Sequence, residues 1–473
     1  MNVFKTLVVY RLLDPGSEWR LHRQWFEQNA IGDLLGEDFG LVQKDNLYRC
    51  LDNLLEHKNN FFSFLTRRWH TLFDATFDVL LYDLTSTYFE AIPTEEGKKR
   101  FGYSRDKRSD CVQVIIALIV TTDGFPLAYE VMPGNTSDKT TLDTFLEKIE
   151  KQYGRANRTW VMDRGIPTEE TLRKMRTAQF PIDYLVGTPR GRLNKLEKSF
   201  LAKPWGQARE LVKVKLLECD QELYILARSD GRVDKERGMR RRRLKKLWKR
   251  LGELQLQKLS RDDLLLKLGA AKKKAGRAYS LVDIKLPGKN EVVTQDTFTF
   301  RLDRERLRKA RRREGSYLLR TNLRDKDPSP LWNHYMQLTE IEQVFKELKG
   351  DLAIRPIHHQ LDNRIEAPIF VAFVAYCLQV TLKQRLRTLA PGLTPRAVFE
   401  KFASIQMVDV HLPTTDGRHI TLSRYTQPEK DQLILLQQMR MDLPAQPPPE
   451  ISLNQSIPRG ADLCMPYLSK SIY

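Results

Sequence analysis

The chain has 473 residues, 41% of them hydrophobic, which is enough for a large core and for two or three domains. Lys and Arg number 79 against 60 Asp and Glu, a formal net charge of +19. Such an excess favours a polyanionic partner, nucleic acid above all, and identifies no reaction. The five cysteines form no CxxC pair, which argues against a disulfide framework or a zinc finger and fits a reduced compartment.

The first part of the chain is predicted to be helical. Between residues 17 and 79, apolar side chains such as Trp25, Leu51 and Phe62 recur at intervals of three and four. The intervening basic residues make DNA contact a reasonable expectation, although packing against the following domain remains an alternative. The apolar run at residues 1–12 is not followed by a small-residue cleavage site, so a secretory signal is not indicated.

The pattern then changes to short strands. An apolar run ends at Asp83, a continuous β-branched run follows at residues 112–121, and residues 126–131 are a third candidate strand. Another strand ends at Asp163. Helical patterns separate the later strands, and a fifth strand is predicted at residues 183–186. The order β-β-β-α-β-α-β is that of the ribonuclease H-like fold, in which the acids that end the first and fourth strands lie side by side. We therefore predict an α/β fold with a ribonuclease H-like mixed sheet flanked by helices.

Residues 187–314 differ in character. Strand-like pieces flank a long basic, helix-like region at residues 235–274, which predicts a β-rich insertion domain with a helical excursion. The basic run within it is a candidate DNA-contacting face or, alternatively, a solvated helix. Residues 367–380 form the longest apolar stretch, which is predicted to be a buried helix because it is too short to cross a bilayer. The prolines between 444 and 449 predict a disordered tail.

One stretch, residues 335–349, is predicted to form a single amphipathic helix. Leu338, Ile341, Phe345 and Leu348 would form its apolar stripe. A second set of side chains would share an adjacent face and place an acid beside cations: Tyr335, Glu342, Lys346 and Lys349. Acids bind divalent metal and cations bind phosphate, so the pattern favours phosphodiester chemistry, with an ordinary salt-bridged surface helix as the alternative.

Asp83, Asp163 and Glu342 are the right types of side chain for two-metal phosphoryl transfer. Such chemistry needs several carboxylates that converge on two ions about 3.5 to 4 Å apart. Carboxylate oxygens suit Mg²⁺ or Mn²⁺, of which two ions are expected. A single aspartate at a strand end is often only a turn former, so the prediction depends on the joint placement of the three acids.

Four separated blocks resemble a known family. They contain Asp83, residues 124–138, Asp163-Arg164-Gly165, and residues 335–349. Together they resemble the DDE transposases of bacterial insertion sequences of the IS-four-like class, whose third block has a Tyr, Arg, Glu, Lys signature. The resemblance runs from about residue 77 to 388 and includes the long β-rich insertion between the second Asp and the Glu.

The resemblance implies roles for individual residues. Asp83, Asp163 and Glu342 would be the catalytic, metal-binding triad, and Tyr335 and Lys349 would contact DNA phosphates. Leu338 stands where the family has Arg, and Lys346 or Arg355 could replace that phosphate contact. The family further implies cut-and-paste DNA transposition on double-stranded DNA, both terminal inverted repeats and target, by a dimer assembled on DNA. A DDE-type nuclease or a decayed transposase that only binds DNA is the alternative, and a DNA-binding repressor with structural acids is another.

These expectations divide the chain into segments and place it in the cell. Relatives of this kind usually have more residues before the first Asp, so the DNA-binding region at the front is expected to be shortened. No membrane association is expected, and the protein is predicted to be cytoplasmic and associated with the bacterial nucleoid. The five predicted segments are a helical module (1–76), the first part of the catalytic core (77–186), the insertion domain (187–314), the second part of the core with Glu342 (315–405), and a C-terminal region with a Pro-rich tail (406–473).

Overall fold

A computed structural model of the chain describes residues 1–90, 97–154, 157–257, 259–289, 291–323, 327–359, 361–453 and 470–471. Its contacts divide the described residues into two units. The first comprises Met1–Met162, Ile166–Ile182 and Gln337–Tyr473, and the second comprises Asp163–Gly165 and Asp183–Met336. The finer division into five segments stays a prediction.

The first unit begins with helices, as the spacing of apolar residues predicts. In the helix Lys44–Leu54, Leu47, Leu51 and Leu54 are buried at intervals of four and three. Ser17 begins a short helix by accepting a hydrogen bond from the amide of Arg20 at 3.2 Å. The helices are α1 (Asn2–Leu13), α2 (Glu18–Arg20), α3 (Ile31–Leu35), α4 (Lys44–Leu54) and α5 (Lys58–Phe73).

A mixed sheet follows in the same unit. All nine residues of its second strand are buried, which explains the continuous β-branched run of the sequence. The elements are β1 (Val79–Tyr88), β2 (Gln113–Thr121), β3 (Pro126–Pro133), α6 (Leu142–Tyr153), β4 (Thr159–Met162) and α7 (Glu169–Thr177). The strand order is β3-β2-β1-β4. β1, β2 and β3 pair antiparallel and β1 pairs parallel with β4, which is the predicted ribonuclease H-like arrangement.

The second unit contains both strands and long helices. Its strands follow the order β5-β11-β8-β7-β6, and β9 and β10 form a separate two-stranded sheet. The elements are β5 (Asp183–Gly187), α8 (Arg190–Leu201), β6 (Gly206–Arg209), β7 (Val212–Cys219), β8 (Glu222–Ser229), α9 (Asp230–Gln255), α10 (Arg261–Ala275), β9 (Val282–Lys285), β10 (Thr299–Leu302), α11 (Arg304–Arg313), β11 (Ser316–Thr321) and α12 (Pro328–Met336).

The basic, helix-like region predicted at residues 235–274 consists of two helices, α9 and α10. Ser260 begins α10 by accepting a hydrogen bond from the amide of Asp263 at 3.1 Å. Leucines of α9 and α10 then pack against each other and against Phe298. The basic side chains lie on the outside of this pair because the leucines recur on one face only. A 3-10 helix, Gly276–Leu281, precedes β9.

The first unit ends with a helical core and a small sheet. Its elements are α13 (Leu338–Lys349), α14 (Asp362–Leu389), α15 (Pro395–Phe402), β12 (Gln406–Pro413), β13 (Arg418–Tyr425), α16 (Lys430–Met439), β14 (Glu450–Leu453) and β15 (Lys470–Ser471). The hairpin of β12 and β13 was not predicted, although Val408, Val410 and Leu412 alternate with polar residues along β12. The Pro-rich stretch 441–449 has no regular secondary structure, and the predicted tail at 454–469 lies outside the described residues.

The helix α14 is the centre of the first unit. It packs against α1, α4, α5, α13, α15 and α16. The helix is longer than the predicted apolar stretch, and by length and composition Arg364–Leu389 could span a membrane. The prediction that this segment is too short to cross a bilayer was therefore wrong. Burial decides the matter instead: 83% of the apolar window is buried inside the protein, as in a core helix. The phenol of Tyr376 also donates a 2.8 Å hydrogen bond to the carbonyl of Gly124, which ties α14 to the sheet.

Candidate functional site

Two of the predicted acids belong to neighbouring strands of the sheet. The parallel register of β1 and β4 ends with Tyr82 opposite Met162. In each chain segment the next residue is an aspartate, Asp83 and Asp163. Asp83 is half-buried within β1, and Asp163 is exposed directly after β4. The prediction that Asp83 ends the first strand was wrong, because residues 84–88 continue β1 by pairing with β2. Only Asp163 lies at the end of its strand, and the parallel register of β1 and β4 stops directly before both acids.

The helix α13, which carries the third predicted acid, packs against β1. Its buried face includes the predicted Ile341, Phe345 and Leu348. Glu342 and Lys346 are exposed, and by helical spacing they lie on a face next to the buried one, as predicted. The rival acid Glu340 lies elsewhere on the helix and forms a 3.5 Å ion pair with Lys383 of α14. The remaining stripe residue, Leu338, is only half-buried because it begins the helix.

Tyr335 is not part of the helix that carries Glu342, so the prediction of one continuous helix was wrong. α12 ends at Met336, and α13 begins after Gln337. Tyr335 instead packs with Trp332 and Tyr317 in the second unit, with ring centroids 6.5 and 6.3 Å away. Trp332 belongs to α12 itself, three residues before Tyr335, whereas Tyr317 belongs to β11, so the aromatic cluster joins α12 to that strand.

In the second unit, Tyr335 and Asp163 lie against the same glycine. A Cβ atom built on Gly187, the last residue of β5, would be 2.8 Å from the Tyr335 hydroxyl and 3.2 Å from Asp163 Oδ1. Burial, together with the negative charge of Asp163, raises the pKa of the Tyr335 phenol, so this group keeps its proton. Gly187 was not predicted as a site residue, although a glycine in a strand often marks close approach of another group to the backbone.

In the first unit, Lys349 and Arg355 share one carboxylate. The ammonium of Lys349 donates a 2.8 Å hydrogen bond to Asp106 Oδ1, and the guanidinium of Arg355 donates to the same oxygen. Burial lowers the pKa of Lys349 more than the carboxylate of Asp106 raises it. Asp106 was not predicted, because a contact across more than 240 residues leaves no periodicity in the sequence.

The second unit contains a basic cavity of about 510 Å³ between α9, α11 and the 3-10 helix before β9. Four arginines line it: Arg240, Arg243, Arg277 and Arg313. Arg240 pairs with the buried Glu314, and Arg313 pairs with Glu197. Arg243 and Arg277 are exposed at its margin. Part of the predicted basic face therefore lines a concave surface suited to an anion.

By chemistry, the three predicted acids suit a divalent metal, since all are carboxylates. They are divided between the units, with Asp83 and Glu342 in the first and Asp163 in the second. Among the described residues, no group of three or more His, Cys, Asp or Glu side chains is arranged to hold an ion. The convergence of the triad therefore stays a prediction, as do the phosphate contacts of Tyr335, Lys346, Lys349 and Arg355.

Comparison with known proteins identifies the family. A family model described as a transposase DDE domain matches residues 66–378. The structure is also similar to a piggyBac transposase in a synaptic complex with hairpin DNA, at 7% identity and a TM-score of 0.43, over 84% of this chain and 68% of that one. No curated protein matches the sequence significantly. Because the family model covers well over half of the chain, the protein belongs to the DDE transposase family, and its function is DNA transposition.

Proposed function

We propose that the protein cleaves DNA at the ends of an insertion sequence and transfers the freed ends to a target, with Asp83, Asp163 and Glu342 as the catalytic triad. The family supports the reaction class, and the observation that carries the residue assignment is the sheet register. The register of β1 and β4 ends with Tyr82 opposite Met162, and the next residue in each segment is an aspartate. The helix with Glu342 packs on β1.

Two divalent ions, Mg²⁺ or Mn²⁺, would be held by these three carboxylates. When bound, such ions lower the pKa of the attacking oxygen and stabilise charge on the leaving oxygen. The chain's own contribution is to fix the acids on rigid elements and to bind the DNA backbone. Lys346 is exposed on α13 one turn after Glu342, where it can contact a neighbouring phosphate.

We also assign the protein to the IS-four-like class on the spacing of Tyr335, Glu342 and Lys349. Leu338 in place of the Arg of that signature leaves one phosphate contact to be supplied by Lys346 or Arg355. We propose double-stranded DNA as the partner, both terminal inverted repeats and target, and a dimer that assembles on paired ends. A cytoplasmic, nucleoid-associated location follows from this partner.

Cleavage of labelled duplex DNA that carries the terminal repeats of the element tests the proposal. With Mg²⁺ present, the wild type should cut, and Glu342→Ala should lose roughly two to three orders of magnitude in rate. That reduction corresponds to about 3 to 4 kcal/mol of transition-state stabilisation. The reason is that one of three metal-binding carboxylates is gone while the fold is intact, since Glu342 is exposed.

Glu340→Ala is the matched control, because it removes the same group from the same helix at a position paired with Lys383. It should cut within a few-fold of the wild type. Equal cutting by wild type and Glu342→Ala would refute the triad. No cutting by the wild type, with DNA binding retained, would favour the alternative of a decayed transposase that only binds DNA.

A further inference from the structure

The cluster of Asp106, Lys349 and Arg355 is held by the strand that carries Asp83. Backbone on both sides of Arg355 is bonded to β1: Thr87 Oγ1 donates to the carbonyl of Ile354 at 3.1 Å, and the amide of Ile357 donates to the carbonyl of Tyr88 at 3.0 Å. The position of the Arg355 backbone is therefore determined by the end of β1.

The loop with Asp106 is fixed to the same strand. The amide of Arg105 donates a 3.1 Å hydrogen bond to Ser86 Oγ within β1. The guanidinium of Arg105 forms two hydrogen bonds of 2.7 and 2.8 Å to Asp138, at the start of the next helical segment. Asp106 is consequently held in place by its neighbour in the chain as well as by its own ion pairs.

The two cations of the cluster differ in access to solvent. The side chains of Lys349 and Asp106 are only 10% and 7% exposed, whereas Arg355 is 34% exposed. Asp106 Oδ2 is buried without a hydrogen-bond partner among the described residues, so both cations depend on the single oxygen Oδ1. Lys349 therefore balances the charge of Asp106 inside the protein, whereas the guanidinium of Arg355 is accessible from solvent.

We propose that Asp106 is a positioning residue that orients Arg355 toward a backbone phosphate of the bound DNA, with Lys349 as the buried counter-charge of Asp106. This inference rests on the proposed function only in taking DNA as the partner. A guanidinium has donors on more than one edge, so one edge can bond Asp106 while another bonds a phosphate.

The phosphate in question is not the one that is cut. Thr87, which bonds the segment of Arg355, lies four residues beyond Asp83 in β1, roughly 13 Å along an extended strand. An interaction at that distance fixes the register of the DNA and takes no part in the chemical step. Removal of the Asp106 charge should therefore weaken DNA binding even when no metal is present.

The test is binding of a fluorescent duplex of arbitrary sequence by the full chain in EDTA, as a function of salt. Asp106→Asn should bind about tenfold more weakly than Asp110→Asn, and the slope of log K against log salt should be smaller by about one, because one phosphate fewer is neutralised. Asp110 is the matched control because it lies in the same loop, loses the same charge and pairs with Arg108 instead.

A double-mutant cycle with Arg355→Ala shows whether Asp106 acts through Arg355. In that background, Asp106→Asn should weaken binding no further than Asp110→Asn does. A full effect of Asp106→Asn without Arg355 would overturn the proposal. Equal binding by Asp106→Asn and Asp110→Asn would also overturn it. Tighter binding by Asp106→Asn would overturn it too, because it would indicate that Asp106 shields the cations from DNA.

A second variant guards against misfolding of Asp106→Asn. Asp106→Leu combined with Lys349→Met removes the buried pair without leaving either charge alone, a change that proteins often tolerate. It should fold, keep the net charge, and show the same decrease in salt slope of about one as Asp106→Asn. A decrease of about two would overturn the role of Lys349 as counter-charge, because Lys349 would then contact a phosphate itself, and wild-type binding by this variant would refute the positioning role. Absence of DNA binding by the wild type would overturn the partner assignment itself and not only the role of Asp106.

Discussion

At the scale of single residues, Gly187 sets the space available to Asp163. Any side chain at this position would meet the Tyr335 hydroxyl at 2.8 Å and Asp163 Oδ1 at 3.2 Å. The phenol cannot retreat easily, because Tyr335 packs against Trp332 and Tyr317. Relief therefore requires a shift of the backbone around Gly187 or of Tyr335, and Asp163 at 3.2 Å must also give way. Catalytic carboxylates act only within about 0.5 Å of the productive geometry.

We predict that Gly187→Ala lowers the rate of Mg²⁺-dependent cleavage by at least about tenfold, equivalent to about 1.4 kcal/mol. Overpacking should also cost about 1 to 3 kcal/mol of the free energy of unfolding. Gly191→Ala in α8 is the control, because a Cβ there meets no atom within 4 Å. Gly187→Ala should cleave clearly more slowly than Gly191→Ala when the two are measured side by side. Equal rates would show that the added methyl group does not displace Asp163.

Residues near the site were predictable when a local pattern marked them. The buried face of α13 followed from spacing alone, since Ile341, Phe345 and Leu348 recur at helical intervals. Asp106 could not be predicted, because its partners are far away in the sequence. Tyr335 and Glu342 were predicted on one helix, but α12 ends at Met336 and α13 begins at Leu338, a break that the continuous periodicity of residues 335–349 does not mark.

At the scale of elements, strands were predicted where both faces are buried. β2 shows this best, because a continuous apolar run can lie only inside the protein. The hairpin of β12 and β13 escaped prediction although Val408, Val410 and Leu412 form an apolar row on one face of β12, because this row is short and stays exposed. The break between α9 and α10 was marked by Ser260, whose capping role becomes clear only once both helices pack together.

Glu366 of α14 ties this core helix to two other segments. Its carboxylate bonds the ammonium of Lys58 at 2.8 Å and that of Lys98 at 3.0 Å. Burial alone would raise the pKa of Glu366, but the two lysines together hold it below its usual value. We predict that Glu366→Gln lowers the free energy of unfolding by about 3 kcal/mol, since the buried Lys58 loses its counter-charge.

The control for this prediction is Glu400→Gln, which breaks an exposed pair with Arg396 and should cost less than about 1 kcal/mol. The pH dependence gives a second measurement. Because the folded-state pKa of Glu366 is depressed, its stabilisation is present above the unfolded pKa of about 4.3 and is lost as pH falls through the folded value. The difference in stability between wild type and Glu366→Gln should thus shrink below about pH 4, and a constant difference would contradict the ion-pair account.

At the scale of the whole molecule, the excess of positive charge favours binding of DNA. The net charge of +19 attracts DNA at long range, but only cations that reach phosphate release counterions. Many basic side chains of the described residues are engaged with acids, among them Arg240 with Glu314. The cavity arginines Arg243 and Arg277 are instead exposed at the margin of a concave surface.

We predict that the double variant Arg243→Gln/Arg277→Gln reduces the salt slope of DNA binding by about two, one for each phosphate that is no longer neutralised. The matched control removes two exposed cations of the same unit that pair with acids, Arg301→Gln/Lys309→Gln, and should change the slope by less than about one. Both variants lower the net charge equally, so long-range attraction falls equally in both. Equal slopes would mean that net charge, and not the basic cavity, sets DNA affinity, and the cavity would then have no part in holding the duplex.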